Sequence, residues 1–226
     1  MKISDKEAAK DRGRQKQCSA ADIELSEIYN KFAEHYDENR GLFDMTQVLN
    51  SFYGLIGKDK GELLDLGCGA GEPFARFFVD HGWSVTGVDF SKKMLDLAAR
   101  YVPEMQIICA DMRKIDFAPA HFTAVSAIYS LFHIPGDDQT ALLDRIYRWL
   151  CPRGLALFTY ATKEYTGSAE FDGYKDFLGQ QLYYSHKRPA MLYADLQNIG
   201  FMITGKDYRH IGGETFLWVT VVKPGR

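Results

Sequence analysis

The period of the apolar positions changes several times along the chain, and each change marks an element. From Asp22 the residues Ile23, Leu25, Ile28, Tyr29, Phe32, Ala33 and Tyr36 recur at helical spacing, which predicts a helix to about Glu38. A second apolar helix is expected from Met45 to Ile56. After the turn Gly57-Lys58-Asp59-Lys60-Gly61 comes Glu62-Leu63-Leu64-Asp65-Leu66, a continuous apolar run closed by glycines and too brief for a helix. Such a run reads as a strand buried on both faces.

The chain then alternates. Helices are expected at Pro73–His81, Ser91–Arg100 and Asp137–Leu150, and strands at Ser84–Val88, Gln106–Ala110, Phe122–Ile128 and Leu155–Tyr160. Pro73 suits a first helical turn, Ser91 and Asp137 suit N-caps, and Pro152 with Gly154 stops the helix before them. A less regular stretch from Glu170 to Asn198 has helical potential. The strands Phe201–Tyr208 and Glu214–Val222, joined by Gly212-Gly213, read as a closing hairpin. The fold expected is α/β, a Rossmann-like, doubly wound, mostly parallel sheet of seven strands with helices on both faces and one antiparallel strand near an edge.

Composition narrows the classes. In 226 residues, 46% are hydrophobic, enough for one sizeable core, so residues 21–226 are expected to form a single domain behind a polar tail at 1–20. The formal net charge of −3 offers no strong attraction to nucleic acid or to an anionic membrane, and a small molecule is the expected partner. Cys18, Cys68, Cys109 and Cys151 form no CxxC pair, and His35, His81, His121, His186 and His210 show no helical pairing, so neither a disulfide framework nor a metal site is expected. With no membrane-length apolar window and no secretory pattern, a cytoplasmic location is expected.

The chemistry concentrates at strand ends. Gly67, Gly69 and Gly71 follow the first strand, where ligands bind in open parallel sheets, and the next helix directs its free amides and positive dipole end at the same place. The spacing G-x-G-x-G, with Asp65 two residues ahead, departs from the G-x-G-x-x-G of dinucleotide enzymes. Asp89 follows the second strand, where a carboxylate can accept both ribose hydroxyls, and Asp111 follows the third, placed to read the amino edge of adenine beside a backbone amide. Each has a plainer alternative: Asp65 closing the glycine turn, Asp89 capping a helix, Asp111 as a surface acid.

The segments Leu63-Leu64-Asp65-Leu66-Gly67-Cys68-Gly69-Ala70-Gly71, Val85-Thr86-Gly87-Val88-Asp89 and Ala110-Asp111-Met112 resemble the class I S-adenosylmethionine-dependent methyltransferases, and the resemblance runs from about Tyr29 to the carboxyl terminus. It implies S-adenosyl-L-methionine as cofactor. Asp65 and the glycine loop, Cys68 included as a small structural residue, would approach the methionine part, and Asp89 the ribose. Phe90 or Met94 would pack near the adenine, and Asp111 with the Met112 amide would bind its edge. Phe122 to Ile134 resembles the fourth-strand motif, with Tyr129 as a further cofactor contact, and Leu150-Cys151-Pro152-Arg153-Gly154 resembles the turn before the fifth strand. Thr123 and Leu155 stand where the family often has an acid and a glycine, positions that serve packing and turn geometry.

The resemblance also implies lids, from the helices of residues 21–60 and the insertion at 161–200, around a cofactor core at 61–160 and a terminal hairpin at 201–226. The aromatic clusters Tyr29-Phe32-Tyr36 and Tyr183-Tyr184-Ser185-His186 would shape an acceptor pocket there, unless they are core. His133, His186 and Tyr36 are the candidates for a general base, should one be used; a packed histidine is the alternative for His133. A nicotinamide-dependent oxidoreductase is the first rival, but no Tyr-x-x-x-Lys pair follows the fourth strand. A methyltransferase acting on RNA or protein is the second, against which stands the lack of a basic domain or of an Asn-Pro-Pro-Tyr-type motif after the fourth strand, and a non-catalytic cofactor-binding module is the third. The acceptor atom, oxygen, nitrogen or carbon, is left open.

Overall fold

The computed structural model of the chain describes residues 20–35, 44–57, 60–177 and 179–225. The tail at 1–19, Tyr36 and the end of the first expected helix lie outside the described residues. The central strand β1 (Glu62–Leu66) pairs in parallel with β2 (Ser84–Asp89) on one side and β4 (Phe122–Ala127) on the other. Outside β2 lies β3 (Gln106–Cys109), and outside β4 lies β5 (Leu150–Tyr160). Strand β9 (Glu214–Val222) joins β5 antiparallel, and β8 (Met202–Ile211) closes the edge against β9. The resulting order β3-β2-β1-β4-β5-β9-β8 reverses direction of travel between β1 and β4, so a ligand crevice opens beyond their carboxyl ends. Seven strands with one antiparallel member next to the edge match the expectation.

Alternation within β1 divides the core into two layers. Leu64 and Leu66 pack with Val125 on the face covered by α5 (Gly136–Trp149) and α7 (Pro189–Ile199), through Leu142, Ile146, Trp149 and Leu196. Leu63 points to the other face, where α2 (Thr46–Ile56), α3 (Phe74–Asp80) and α4 (Lys92–Tyr101) contribute Phe52, Phe78 and Leu95. The three β1 leucines are fully buried, each worth about 1.5–3 kcal/mol relative to exposure. The helix α1 (Ala20–Phe32), continued by a 3₁₀ turn at Ala33–His35, brings Ile28, Tyr29 and Phe32 into a third apolar cluster.

Three expectations need correction. The stretch from Glu170 to Asn198 is not helical throughout: β6 (Phe171–Phe177) and β7 (Gln180–His186) form an antiparallel hairpin, and only α7 is helical. Strict in–out alternation of burial along β6, with β-favouring aromatics at Phe171, Tyr174, Phe177, Tyr183 and Tyr184, explains the outcome. A short helix, α6 (Lys163–Thr166), links β5 to this hairpin. Strand β5 starts at Leu150, five residues earlier than Leu155, with a register irregularity against β4 that accommodates Pro152 and Gly154. Asp137 does not cap α5; it sits within its first turn, after Pro135 at the cap position. Ser91 does cap α4, accepting from the Met94 amide at 3.2 Å.

Candidate active site

The loop after β1 is held against β2 by its own backbone. The Gly67 and Cys68 amides both donate to the Val88 carbonyl, at 2.7 and 3.1 Å, and Ser130 Oγ donates to the Leu66 carbonyl at 2.7 Å. Gly67 has φ +75°, and a Cβ there would lie 2.4 Å from Ser130 Cβ, so both conformation and space demand glycine. Gly69 differs. A Cβ on it would meet nothing within 4 Å, which leaves its backbone bordering open space where a ligand can approach. Gly71 closes the loop, donating to the Cys68 carbonyl at 2.8 Å. The Cys68 thiol is buried, which pushes its pKa well up and leaves it inert.

Two carboxylates lie buried beside this loop. Asp89 accepts from the Gly69 amide at 2.9 Å with Oδ2 and from the Ser91 amide at 2.8 Å with Oδ1. It therefore ties the glycine loop to the residue that caps α4, while the cap itself is Ser91 and not Asp89. Burial raises its pKa against those hydrogen bonds. Asp65 accepts from Ser126 Oγ at 2.7 Å; burial pushes its carboxyl up to about 7, with the Ser126 bond opposing and the nearby Asp89 charge adding to the rise. Two buried acids, neither balanced by a cation among the described residues, mark a place where positive charge is welcome.

A cavity of about 340 Å³ opens beyond the ends of β2, β3 and β4; Asp65, Asp89 and the glycine loop are not among its wall residues. Phe90 lines it after β2, the segment Cys109 to Arg113 after β3, and His133 with Ile134 after β4, while Leu25, Ser26 and Glu27 of α1 form the opposite wall. Met94 and Met112 are buried at 7% and 4% exposure, and only Met112 is a wall residue of this cavity. Asp111 lies in the cavity wall already engaged by Arg113. Fastening α1 over the cavity is Asn30, whose Oδ1 accepts from Ser91 Oγ at 2.8 Å and from the Lys93 amide at 3.2 Å; Lys93 also pairs with Glu34. Asn30→Ala is expected to speed ligand dissociation from the cavity by about 5- to 10-fold, the value of roughly 1 kcal/mol for a lost hydrogen bond. Stopped-flow fluorescence checks it, and an unchanged off-rate would remove Asn30 as the fastener.

Of the candidates His133 and His186, His133 lies in the cavity wall. It is buried, with Nδ1 2.8 Å from the Tyr183 carbonyl and Nε2 3.0 Å from Tyr29 Oη. A carbonyl only accepts, so Nδ1 carries the proton and Nε2 accepts from the Tyr29 hydroxyl. Burial pushes the imidazole down to about 4, against the help of the Tyr183 bond, and burial also raises the Tyr29 hydroxyl above its ordinary range. Both groups are therefore neutral near pH 7. Tyr129, at φ +53°, donates from its amide to the Thr159 hydroxyl oxygen at 2.6 Å and packs its ring on Phe216 and Trp218; it is not a wall residue of the cavity.

His186 is placed elsewhere. It borders a separate cleft with Pro135, Asp137, Glu170 and Lys187, its Nε2 2.7 Å from Thr166 Oγ1. Tyr36 lies outside the described residues. What the sequence did not single out were Tyr29 as the partner of His133, Asn30, Arg113, Ser126 and Ser130. The signal for the first two was available, since Ser26, Tyr29, Asn30 and Ala33 share one face of α1. Thr123 serves packing as expected: its Oγ1 accepts from the Glu62 amide at 3.4 Å. Among the described residues there is no cluster of three metal-ligating side chains and no helix long and apolar enough to cross a membrane.

The sheet order, with a glycine loop after β1 and acids at or just beyond the ends of β1, β2 and β3, is the Rossmann-like arrangement expected from the sequence. Residues 63–154 match the family model described as a methyltransferase domain. The chain is 34% identical over 136 residues to the Bacillus subtilis protein YqeM, covering 58% of this chain and 54% of that one. To a demethylmenaquinone methyltransferase of Lactobacillus johnsonii it is 30% identical over 143 residues, covering 58% of each. The chain thus spans a little over half the length of these curated relatives. Its fold matches the Burkholderia thailandensis 1,6-didemethyltoxoflavin-N1-methyltransferase, solved with S-adenosylhomocysteine, at a TM-score of 0.64 and 19% identity over 92% of both chains. Residues 63–154 are thus similar to a methyltransferase domain, and the fold is shared with solved S-adenosylmethionine-dependent methyltransferases.

Proposed function

We propose that the protein moves a methyl group from S-adenosylmethionine to an oxygen, nitrogen or carbon of a small-molecule metabolite by in-line displacement. One observation carries this reading: a single cavity gathers Phe90 from the end of β2, the Asp111 segment from the end of β3 and His133 from beyond β4, at the same edge of the sheet from which the glycine loop leaves β1. The bound cofactor would supply an electrophilic methyl carbon on a sulfonium. Its ribose would be held by Asp89, its adenine by Phe90, Met94 and the Asp111–Met112 edge, and its methionine part by Asp65 and the loop from Gly67 to Gly71. The residues fit that group, since the buried Asp65 suits the positive charge of the methionine end and Asp89 offers carboxylate acceptors to ribose hydroxyls.

The protein's share of the chemistry is alignment and dryness. Fixing two reactants together is worth roughly 7–11 kcal/mol of barrier, more than a base supplies. His133, held in the cavity wall between the Tyr29 hydroxyl of α1 and the β7 carbonyl of Tyr183, would take a proton at Nε2, the atom that now accepts from Tyr29. Tyr29→Phe and His133→Asn are expected to lower kcat by about 10²-fold, the lower range for general-base catalysis, with cofactor affinity little changed. Full kcat in both variants would leave the reaction without these groups.

The test of the function is direct. Purified protein is titrated with S-adenosylmethionine and with NAD, then incubated with methyl-labelled donor and a metabolite extract. Saturable S-adenosylmethionine binding and label in a low-mass product are expected. Tight NAD binding with no response to S-adenosylmethionine would replace this reading by an oxidoreductase.

A further inference from the structure

The acid that ends β3 does not stand alone in the cavity wall. Arg113 meets Asp111 with a two-pronged contact, Nη2 at 2.7 Å from Oδ2 and Nε at 3.0 Å from Oδ1, and its own amide donates to Oδ1 at 2.8 Å. Both side chains are largely buried, at 18% and 15% exposure. Arg113 Nη1 reaches Asp138 of α5 at 3.4 Å, so the guanidinium is anchored from a second element. From the same helix, Arg145 Nη1 donates to the Arg113 and Ile115 carbonyls at 2.8 and 3.0 Å, which fixes the segment's backbone. Nothing about a cofactor-binding acid requires so much bracing, since a lone carboxylate could accept a donor just as well.

We propose that Arg113 is a positioning residue that locks Asp111 as an ionised acceptor of fixed orientation, and so makes the cavity select a 6-amino purine over a 6-oxo purine. The inference rests on the adenosyl reading of the cavity. A carboxylate held on two sides by a guanidinium can neither rotate away nor pick up a proton. Burial alone would raise the Asp111 carboxyl, but the Arg113 hydrogen bonds outweigh it and hold it below its ordinary value. Toward an amino group such an acid is a good partner. Toward a carbonyl oxygen it sets lone pair against lone pair with no way to relax, which is discrimination by repulsion as well as by attraction. Freed from the Arg113 fork, Asp111 keeps the backbone amide of residue 113 and the longer Lys114 contact, Nζ at 3.6 Å from Oδ2, and could turn and tolerate the oxo group.

The test compares binding of S-adenosylhomocysteine and its deaminated analogue S-inosylhomocysteine by calorimetry in wild-type protein, Arg113→Met and Arg113→Lys. Wild type is expected to favour the amino form by about 30-fold or more, Arg113→Met by less than about 3-fold, and Arg113→Lys, which keeps the charge without the fork, by an intermediate ratio. A purely structural role would weaken both ligands together and leave the ratio where it was. Wild-type ratios in both variants would overturn the proposal while leaving the adenosyl cavity intact. Failure of wild-type protein to bind S-adenosylhomocysteine at all would overturn the adenosyl reading itself, and the proposal with it.

Discussion

Asp89→Ala is expected to weaken S-adenosylhomocysteine binding by about 100-fold or more, nearly 3 kcal/mol, while the protein stays folded. The size follows from what the carboxylate does at once. Its two oxygens hold the Gly69 and Ser91 amides, so its removal releases the glycine loop from α4 in addition to deleting the proposed ribose acceptor. Hydrogen bonds to a charged group are worth about 1.5–3 kcal/mol each, and water can replace part of the loop contacts once the side chain is gone. Asp89→Asn separates the two roles. An amide can still accept from Ser91, but its NH₂ would then face the Gly69 amide, and one ribose acceptor is lost, so an effect of about 10-fold is expected. Calorimetric titration with thermal melts of the free proteins reads both. Unimpaired binding in the alanine variant would remove Asp89 from the cofactor site.

How much of this was legible in the residues depends on the range over which each interaction acts. The five-residue run Glu62–Leu66 could be placed to the residue because its neighbours along the chain decide its fate: continuous apolar side chains, then glycine. Ser91 could be identified as a cap for the same reason. The hairpin of β6 and β7 could not, because its stability comes from pairs such as Phe171 with His186 and from packing against α1 and β9, none of them adjacent in sequence. Within the site, the acids at strand ends follow from topology alone. Their partners do not: Ser126 reaches Asp65 across sixty-one positions and Tyr29 reaches His133 across 104, distances that only the folded sheet closes. The divided histidines make the same point. His133 and His186 looked alike as candidates, and the sheet sends one to the cavity and the other to a separate cleft.

The second large effect concerns Asp65, where binding and stability should move in opposite directions. Burial lifts its carboxyl to about 7 in the folded chain, against about 3.9 for an unfolded aspartate. A folded-state pKa above the unfolded one means that the native protein holds the proton more tightly, so the contribution is fully present below about pH 4 and is lost as pH rises to about 7. Above that the ionised acid sits in the core at a cost on the order of 3 kcal/mol relative to its protonated form. Asp65→Asn keeps the shape and removes the charge, since Ser126 Oγ can donate to the amide oxygen as it does to Oδ1 at 2.7 Å. The variant is therefore expected to melt higher than wild type at pH 8, by roughly 4–8 °C if about 2 kcal/mol is recovered, and to differ little at pH 5. On the proposed reading the same charge balances the cationic methionine end of the cofactor, so wild-type affinity should rise as pH increases through 7, with proton release on binding below that point. The asparagine variant should bind about 10-fold or more weakly at pH 8 and lose that pH dependence. Melting curves at the two pH values, with calorimetry in buffers of different ionisation enthalpy, measure each part. Equal melting points at pH 8 would mean that the acid is not strained by burial, and pH-independent binding by wild type would mean that its charge does not face the cofactor.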